Sequence, residues 1–228
     1  MSNLDKLLFG AVCLLFPFLT NAGEALLFND PGLTAYKDDE AIVGFYSTES
    51  GRFSCMFMFF TKRSPSSHTD EDGFEDVKIF TYVPGDGSLA FEDRDKTFDI
   101  DGDLYRRGDE WIIRTSRAQA GCENSAGTFI FDRADFRATS YSVALKIPAI
   151  GIRLIRAKSY FYDYNNGKYV SRKSYLTRWN GVILLRRRRE FSYVRFVDTR
   201  ANARTVGRVT TGWIHSSDLV DPFPSLLR

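Results

Sequence analysis

Residues 41–60 read AIVGFYSTESGRFSCMFMFF. Two runs, 41–47 and 53–60, are short, rich in Val, Ile, Phe and Tyr, and bounded by Gly and Ser, which is the composition of β-strands set between turns. The pattern recurs at 77–83 (VKIFTYV), 110–116 (EWIIRTS), 127–132 (GTFIFD) and 138–147 (ATSYSVALKI). Turn chemistry separates the runs at Pro84-Gly85-Asp86-Gly87, Asp101-Gly102 and Arg107-Gly108-Asp109. No window of about a dozen residues carries apolar side chains at the i, i+3, i+4 spacing of an amphipathic helix. The stretch predicts an antiparallel β-sandwich or barrel of about eight strands, and the chain as a whole is all-β.

The chain has 228 residues with 31 Lys+Arg against 29 Asp+Glu, a formal net charge of +2, and 43% hydrophobic residues. That composition excludes a disordered, collagen-like or polytopic membrane protein. Aromatic residues reach 15%, while only 2 His and 3 Cys are present, so material for a core is ample and material for metal or cysteine–histidine chemistry is scarce.

Residues 7–19 (LLFGAVCLLFPFL) follow Lys6 and precede Thr20-Asn21-Ala22, the layout of a secretory signal peptide over 1–22. A run of 13 residues is shorter than the about 20 needed to cross a bilayer as a helix, and Pro17 lies within it. Export without a transmembrane anchor, to the periplasm or medium, is the expectation. Removing 1–22 leaves Cys55 and Cys122 as the only cysteines, an even number in an oxidising compartment. A disulfide between them is expected to stabilise the fold by about 4 kcal/mol in the chain-entropy account. The alternative is a pair of buried thiols.

The Pro148-Ala149-Ile150-Gly151 stretch divides the strand patterns, giving an acidic part over 23–147 and a second over 148–228. The second part opens on Tyr160-Phe161-Tyr162, continues through Tyr175-Leu176 to an apolar strand at 182–185 and an aromatic one at 191–197, and ends on Gly212-Trp213-Ile214 then Asp218-Leu219. This resembles the bacterial Src-homology-3-like domain family over about 70 residues, the Gly-Trp-Ile ending being its most specific element. The resemblance implies a small five-stranded barrel whose last turn is a short helix, and a groove for an extended peptide or glycan. The sequence departs from the family at Arg178-Trp179-Asn180-Gly181, where such domains often carry Gly-Asp, and at Arg186 to Arg189. Asn180-Gly181 has the composition of a hairpin turn.

The near-zero net charge conceals an asymmetry. Residues 23–145 carry 13 Lys+Arg against 23 Asp+Glu, a net −10, and residues 146–228 carry 17 against 5, a net +12.

No nucleophile elbow, zinc-protease helix, phosphate loop or dinucleotide fingerprint occurs. The cysteine peptidases that accompany Src-homology-3-like domains resemble an Asp-Cys-Ser-Gly helix start with a downstream His. Cys55 instead sits in a strand pattern, and no His lies between His68 and His215. Asp99, Asp101 and Asp103 with Glu110 mimic the spacing of a calcium loop, but Leu104 occupies the position that needs Gly, which reads as an acidic turn and no metal site. A hydrolytic carboxylate pair in the acidic part has no identifying spacing. The chain therefore reads as non-enzymatic, with no cofactor.

The binding candidates are Tyr162, Tyr164, Trp179 and Trp213, as the resemblance implies, and Arg186, Arg187, Arg188 and Arg189. Four consecutive arginines on a strand alternate faces, so they do not all point one way. Their counterpart is either an external polyanion or acidic protein, or the −10 part of the same chain. Nucleic acid is excluded as a partner by the export signal. The functional expectation is an exported protein that binds another protein, an inhibitor or immunity protein against a secreted antibacterial enzyme being the concrete form. The alternative is a protein of the cell envelope that binds peptidoglycan or another cell-wall polymer through its Src-homology-3-like part.

Overall fold

The computed structural model describes residues 23–62, 68–119, 121–124, 128–200 and 204–225. The signal peptide expected over 1–22 lies outside them. The protein is all-β, with two antiparallel sheets, one closed into a ring and one curved into a half-barrel.

The first sheet contains β1 (Gly23–Phe28), β2 (Leu33–Lys37), β3 (Ile42–Ser50), β4 (Phe53–Thr61), β5 (His68–Thr69), β6 (Glu75–Val83), β7 (Asp95–Arg107), β8 (Glu110–Thr115) and β9 (Ser140–Ala149). Each long strand pairs with its sequence neighbour, β1 pairs with β9, and β4 pairs with β6 from Met58↔Tyr82 to Thr61↔Ile79, which closes the ring. The short β5 attaches to the start of β6.

The continuous apolar runs noted at 41–60 have a physical reason. Strands β1 to β4 are buried on both faces. Leu26, Phe28, Ala35, Tyr46, Phe57 and Phe59 fill the ring. The alternate residues Ala25, Leu27, Tyr36, Val43, Phe45 and Met58 pack outward against the second sheet. Strand β7 obeys the opposite rule. Ile100 and Leu104 point in, while Asp99, Asp101 and Asp103 form ion pairs with Arg94, Lys62 and Lys78.

The turn expected at Asp101-Gly102 is therefore interior to a strand. Gly102 is needed because a Cβ there would lie 2.3 Å from the Arg114 carbonyl of β8. The strand expected at 127–132 is also corrected. Residues 128–132 have no strand structure, and Phe129 drops its ring onto Tyr46 and Phe57 to plug the ring. Cys55 on β4 and Cys122 in the short 3-10 turn after β8 form a disulfide beside that plug, both fully buried.

The chain passes directly from β9 into the second sheet at Ile150. That sheet contains β10 (Gly151–Ile155), β11 (Ser159–Asn165), β12 (Lys168–Leu176), β13 (Gly181–Arg188), β14 (Phe191–Val197), β15 (Val209–His215) and β16 (Leu219–Val220), ordered β12-β11-β15-β14-β13-β10-β16. Its own core gathers Ile155, Phe161, Leu176, Val182, Leu184, Val194 and Ile214. The other face of β10 and β13 sends Ile152, Leu154 and Ile183 into the cluster shared with the ring, joined by Val220 and Phe223. At 25 cal/mol per Å² or so, such burial favours a joint far more than exposed ion pairs do. Two hydrogen-bonded links support it: Tyr82 Oη donates to the Pro222 carbonyl at 2.7 Å, and Arg178 donates to the carbonyls of Asp86 and Gly87.

The hairpin expected at Asn180-Gly181 is different in detail. The turn runs Thr177 to Asn180, closed by Asn180 N–H donating to the Thr177 carbonyl at 3.2 Å, and the positive φ of 75° falls on Trp179. Gly181 is required by close approach, since a Cβ there would sit 2.6 Å from the Phe45 ring.

Candidate functional site

The structure assembles most of the candidate residues on one face of the half-barrel. Register builds that face. Arg186 on β13 opposes Tyr193 on β14, Tyr193 opposes Trp213 on β15, and Trp213 opposes Tyr162 on β11, making one row across four strands. Two residues along, Arg188 opposes Phe191, which opposes His215, a second row on the same face.

The arginines reach this face through a β-bulge. Leu184 opposes Val194 and faces the core, whereas the next pair in the ladder is Arg186 with Tyr193. The extra residue, Leu185, shifts the alternation by one, so Arg186 and Arg188 share the side of the aromatic rings instead of the side of Leu184. Arg187, opposite the buried Ser192, takes the other face, and Arg189 sits in the turn with φ of 52°.

The rings pack as a continuous layer. Tyr169 stacks on Phe191 with centroids 3.7 Å apart and meets Trp213 edge-on at 5.7 Å, and Tyr162 meets Phe191 at 5.3 Å and His215 at 5.2 Å. Phe191 and Trp213 are buried within it, while Tyr162, Tyr164, Tyr169 and Tyr193 stay half-exposed. Over the layer, the Arg186 guanidinium lies 4.5 Å from the Tyr193 ring and 5.5 Å from that of Trp213, and Arg188 lies 4.1 Å from Tyr164. Stacking of this kind restrains a guanidinium while its in-plane N–H donors stay available to a carboxylate or phosphate. The hairpin β11–β12, which carries Tyr164 and Tyr169, is anchored by Arg172, paired with Asp163 and donating to the Thr211 carbonyl at 2.8 Å.

Trp179 is not part of this surface. It lines a cleft of about 850 Å³ between ring and half-barrel, bordered also by Glu49, Ser54, Phe98, Tyr175 and Arg200. Arg200 holds Asp198 in a two-pronged pair at 2.9 and 2.6 Å, and this guanidinium keeps the Asp198 carboxyl down at about 2, aided by the Thr205 hydroxyl.

The acidic loops and strands of the ring are engaged with the ring's own cations. Arg133 bridges Asp70 and Asp72, Arg106 pairs with Glu75, and Arg107 with Glu110 at 2.8 Å, which lowers the Glu110 carboxyl. Among the described residues no group of three or more His, Cys, Asp or Glu converges as a metal site, and no helix is long and apolar enough to cross a membrane.

Sequence reasoning did not place Tyr169, Phe191, Tyr193 and His215 on the candidate surface. The signal was parity: Phe191-x-Tyr193, Trp213-x-His215 and Tyr162-x-Tyr164 are each the two-residue repeat that puts side chains on one face. Comparison with protein-family models, with curated proteins and with solved structures finds no match for this chain.

Proposed function

We propose that this chain is an exported, non-enzymatic binding protein that engages an acidic protein partner through the arginine–aromatic face of its half-barrel, as an inhibitor or immunity protein does. The observation that carries the reading is the in-register row Arg186, Tyr193, Trp213, Tyr162, with Arg188 over Tyr164 beside it. Arg, Tyr and Trp are the residue types that dominate the energetics of protein interfaces, and here they are held by the sheet before a partner arrives. The ion pairs that occupy the ring's carboxylates support a structural role for them, which favours binding over hydrolysis as the work of the molecule.

A second reading, attachment to a cell-wall polymer, rests on the strand order β16-β10-β13-β14-β15 with the long hairpin β11–β12 and the short 3-10 turn Ser216–Asp218 before β16. That order supports the Src-homology-3-like resemblance of the second part.

Affinity capture from envelope extracts tests the first reading. The wild-type chain is expected to recover one partner in stoichiometric amount, the R186E/R188E double variant to lose it, and Arg187→Glu, on the opposite face, to keep it. Equal recovery by the double variant, or co-sedimentation with purified sacculi and no protein captured, contradicts it.

A further inference from the structure

We infer that the cleft between the ring and the half-barrel is a second binding site, one for a neutral oligosaccharide. Its volume of about 850 Å³ falls within the about 300–1,000 Å³ of small-molecule sites, and a junction between two structural units is where such sites concentrate.

The cleft is built in advance. Arg178 on its wall spends its donors on three carbonyls, those of Arg156, Asp86 and Gly87, and so ties the turn before β13 to the loop after β6. Trp179 holds a φ of 75°, a conformation disfavoured for any side-chain-bearing residue. It persists because Trp179 N–H donates to the Ile155 carbonyl at 3.1 Å and the Asn180 side-chain oxygen accepts from Thr177 N–H at 2.8 Å. Backbone strain over-determined in this way clusters at ligand sites.

The chemistry of the lining selects the ligand class. Met56, Val83, Phe98 and the Trp179 ring supply an apolar platform of the kind that covers the C–H face of a pyranose. The Glu49 carboxylate, Ser54 and Tyr175 hydroxyls, the Asn180 amide N–H₂ and the uncommitted Nη1 of Arg200 supply both donors and acceptors around it. The four charges of the lining, Glu49 and Asp198 against Arg178 and Arg200, sum to zero; Arg200 is paired with Asp198, and Arg178 has its donors on carbonyls. A neutral, hydroxyl-rich ring system satisfies these groups, and an anionic ligand does not.

The test titrates the full chain with chitotetraose, cellotetraose and maltotetraose, and with tetra-alanine as a peptide control, following tryptophan fluorescence and NMR shifts of cleft residues. Saturable binding of at least one of the sugars is expected. Trp179→Gly removes the platform while relieving the positive φ, so affinity is expected to fall about tenfold or more with the fold retained. Tyr175→Ala, at a half-exposed position, serves if the first variant does not fold, and is expected to weaken binding severalfold. Trp213→Phe, on the arginine–aromatic face, leaves sugar binding intact, which separates this site from the proposed partner surface. Failure of all three sugars to bind, binding of tetra-alanine in their place, or full affinity in Tyr175→Ala overturns the assignment.

Discussion

Asp198 shows how a single buried carboxylate sets the edge of the cleft. Its side chain is 7% exposed, and both oxygens are taken by Arg200 and Thr205. The Arg200 guanidinium lowers its pKa from 3.8 to about 2. A depressed carboxyl contributes stability that is present above the unfolded value and is lost as pH falls through the folded one. Thermal melts are therefore expected to show a loss of about 2 kcal/mol between pH 3.8 and about 2. Asp198→Asn is expected to lose a similar amount at neutral pH and to flatten the acid dependence. An unchanged melting profile in that variant contradicts the assignment. At the same scale, the stacked Arg186 and Arg188 differ from their neighbours Arg187 and Arg189 in what lies beneath them, although the four are identical in sequence.

At the scale of the element, the bulge at Leu185 decides which arginines meet the aromatic layer. The sequence states that consecutive arginines alternate; it does not state which parity wins, because one unpaired residue reverses it. The turn before β13 has the same character. Asn180-Gly181 has hairpin composition, yet the tight turn closes two residues earlier, with Arg178 and Trp179 at its centre, and Gly181 serves close packing against Phe45. Gly181→Ala is accordingly expected to destabilise the protein by about 1–3 kcal/mol, as overpacking does, measured by urea unfolding. A neutral result contradicts the reading of that contact.

Other elements were plain in the residues for stated reasons. The runs at 41–60 read as strands because both faces of β3 and β4 are buried. Strand β7 was hidden by its own chemistry, since Asp at three successive outward positions, 99, 101 and 103, with Gly102 inward mimics a turn or a calcium loop. Phe129 looked like a strand residue because burial inside the ring demands the same apolar side chain whether or not the backbone is extended. The candidate aromatics were visible by type, but their division between a sheet face and a cleft depended on register and on the positive φ of Trp179, neither of which is written in composition.

Across the whole molecule, an acidic ring and a basic half-barrel meet through an apolar joint. Leu27, Phe45 and Met58 on one side and Ile152, Leu154 and Ile183 on the other belong to one cluster. The charge asymmetry of −10 against +12 is thus not what fills the joint, and Arg186 and Arg188 rest on rings of their own sheet. On the proposed reading, such a distribution would steer an acidic partner toward the half-barrel over distances of about a Debye length.

On the proposed reading these two arginines await a second molecule and are not spent on the ring. Phenylglyoxal footprinting, read by mass spectrometry on the mature chain alone and after adding envelope extract, tests it directly. Arg186 and Arg188 are expected to react in the isolated chain at low and high salt alike and to become protected when extract is added. Protection already present in the isolated chain and released by salt, or reactivity unchanged by the extract, would contradict it.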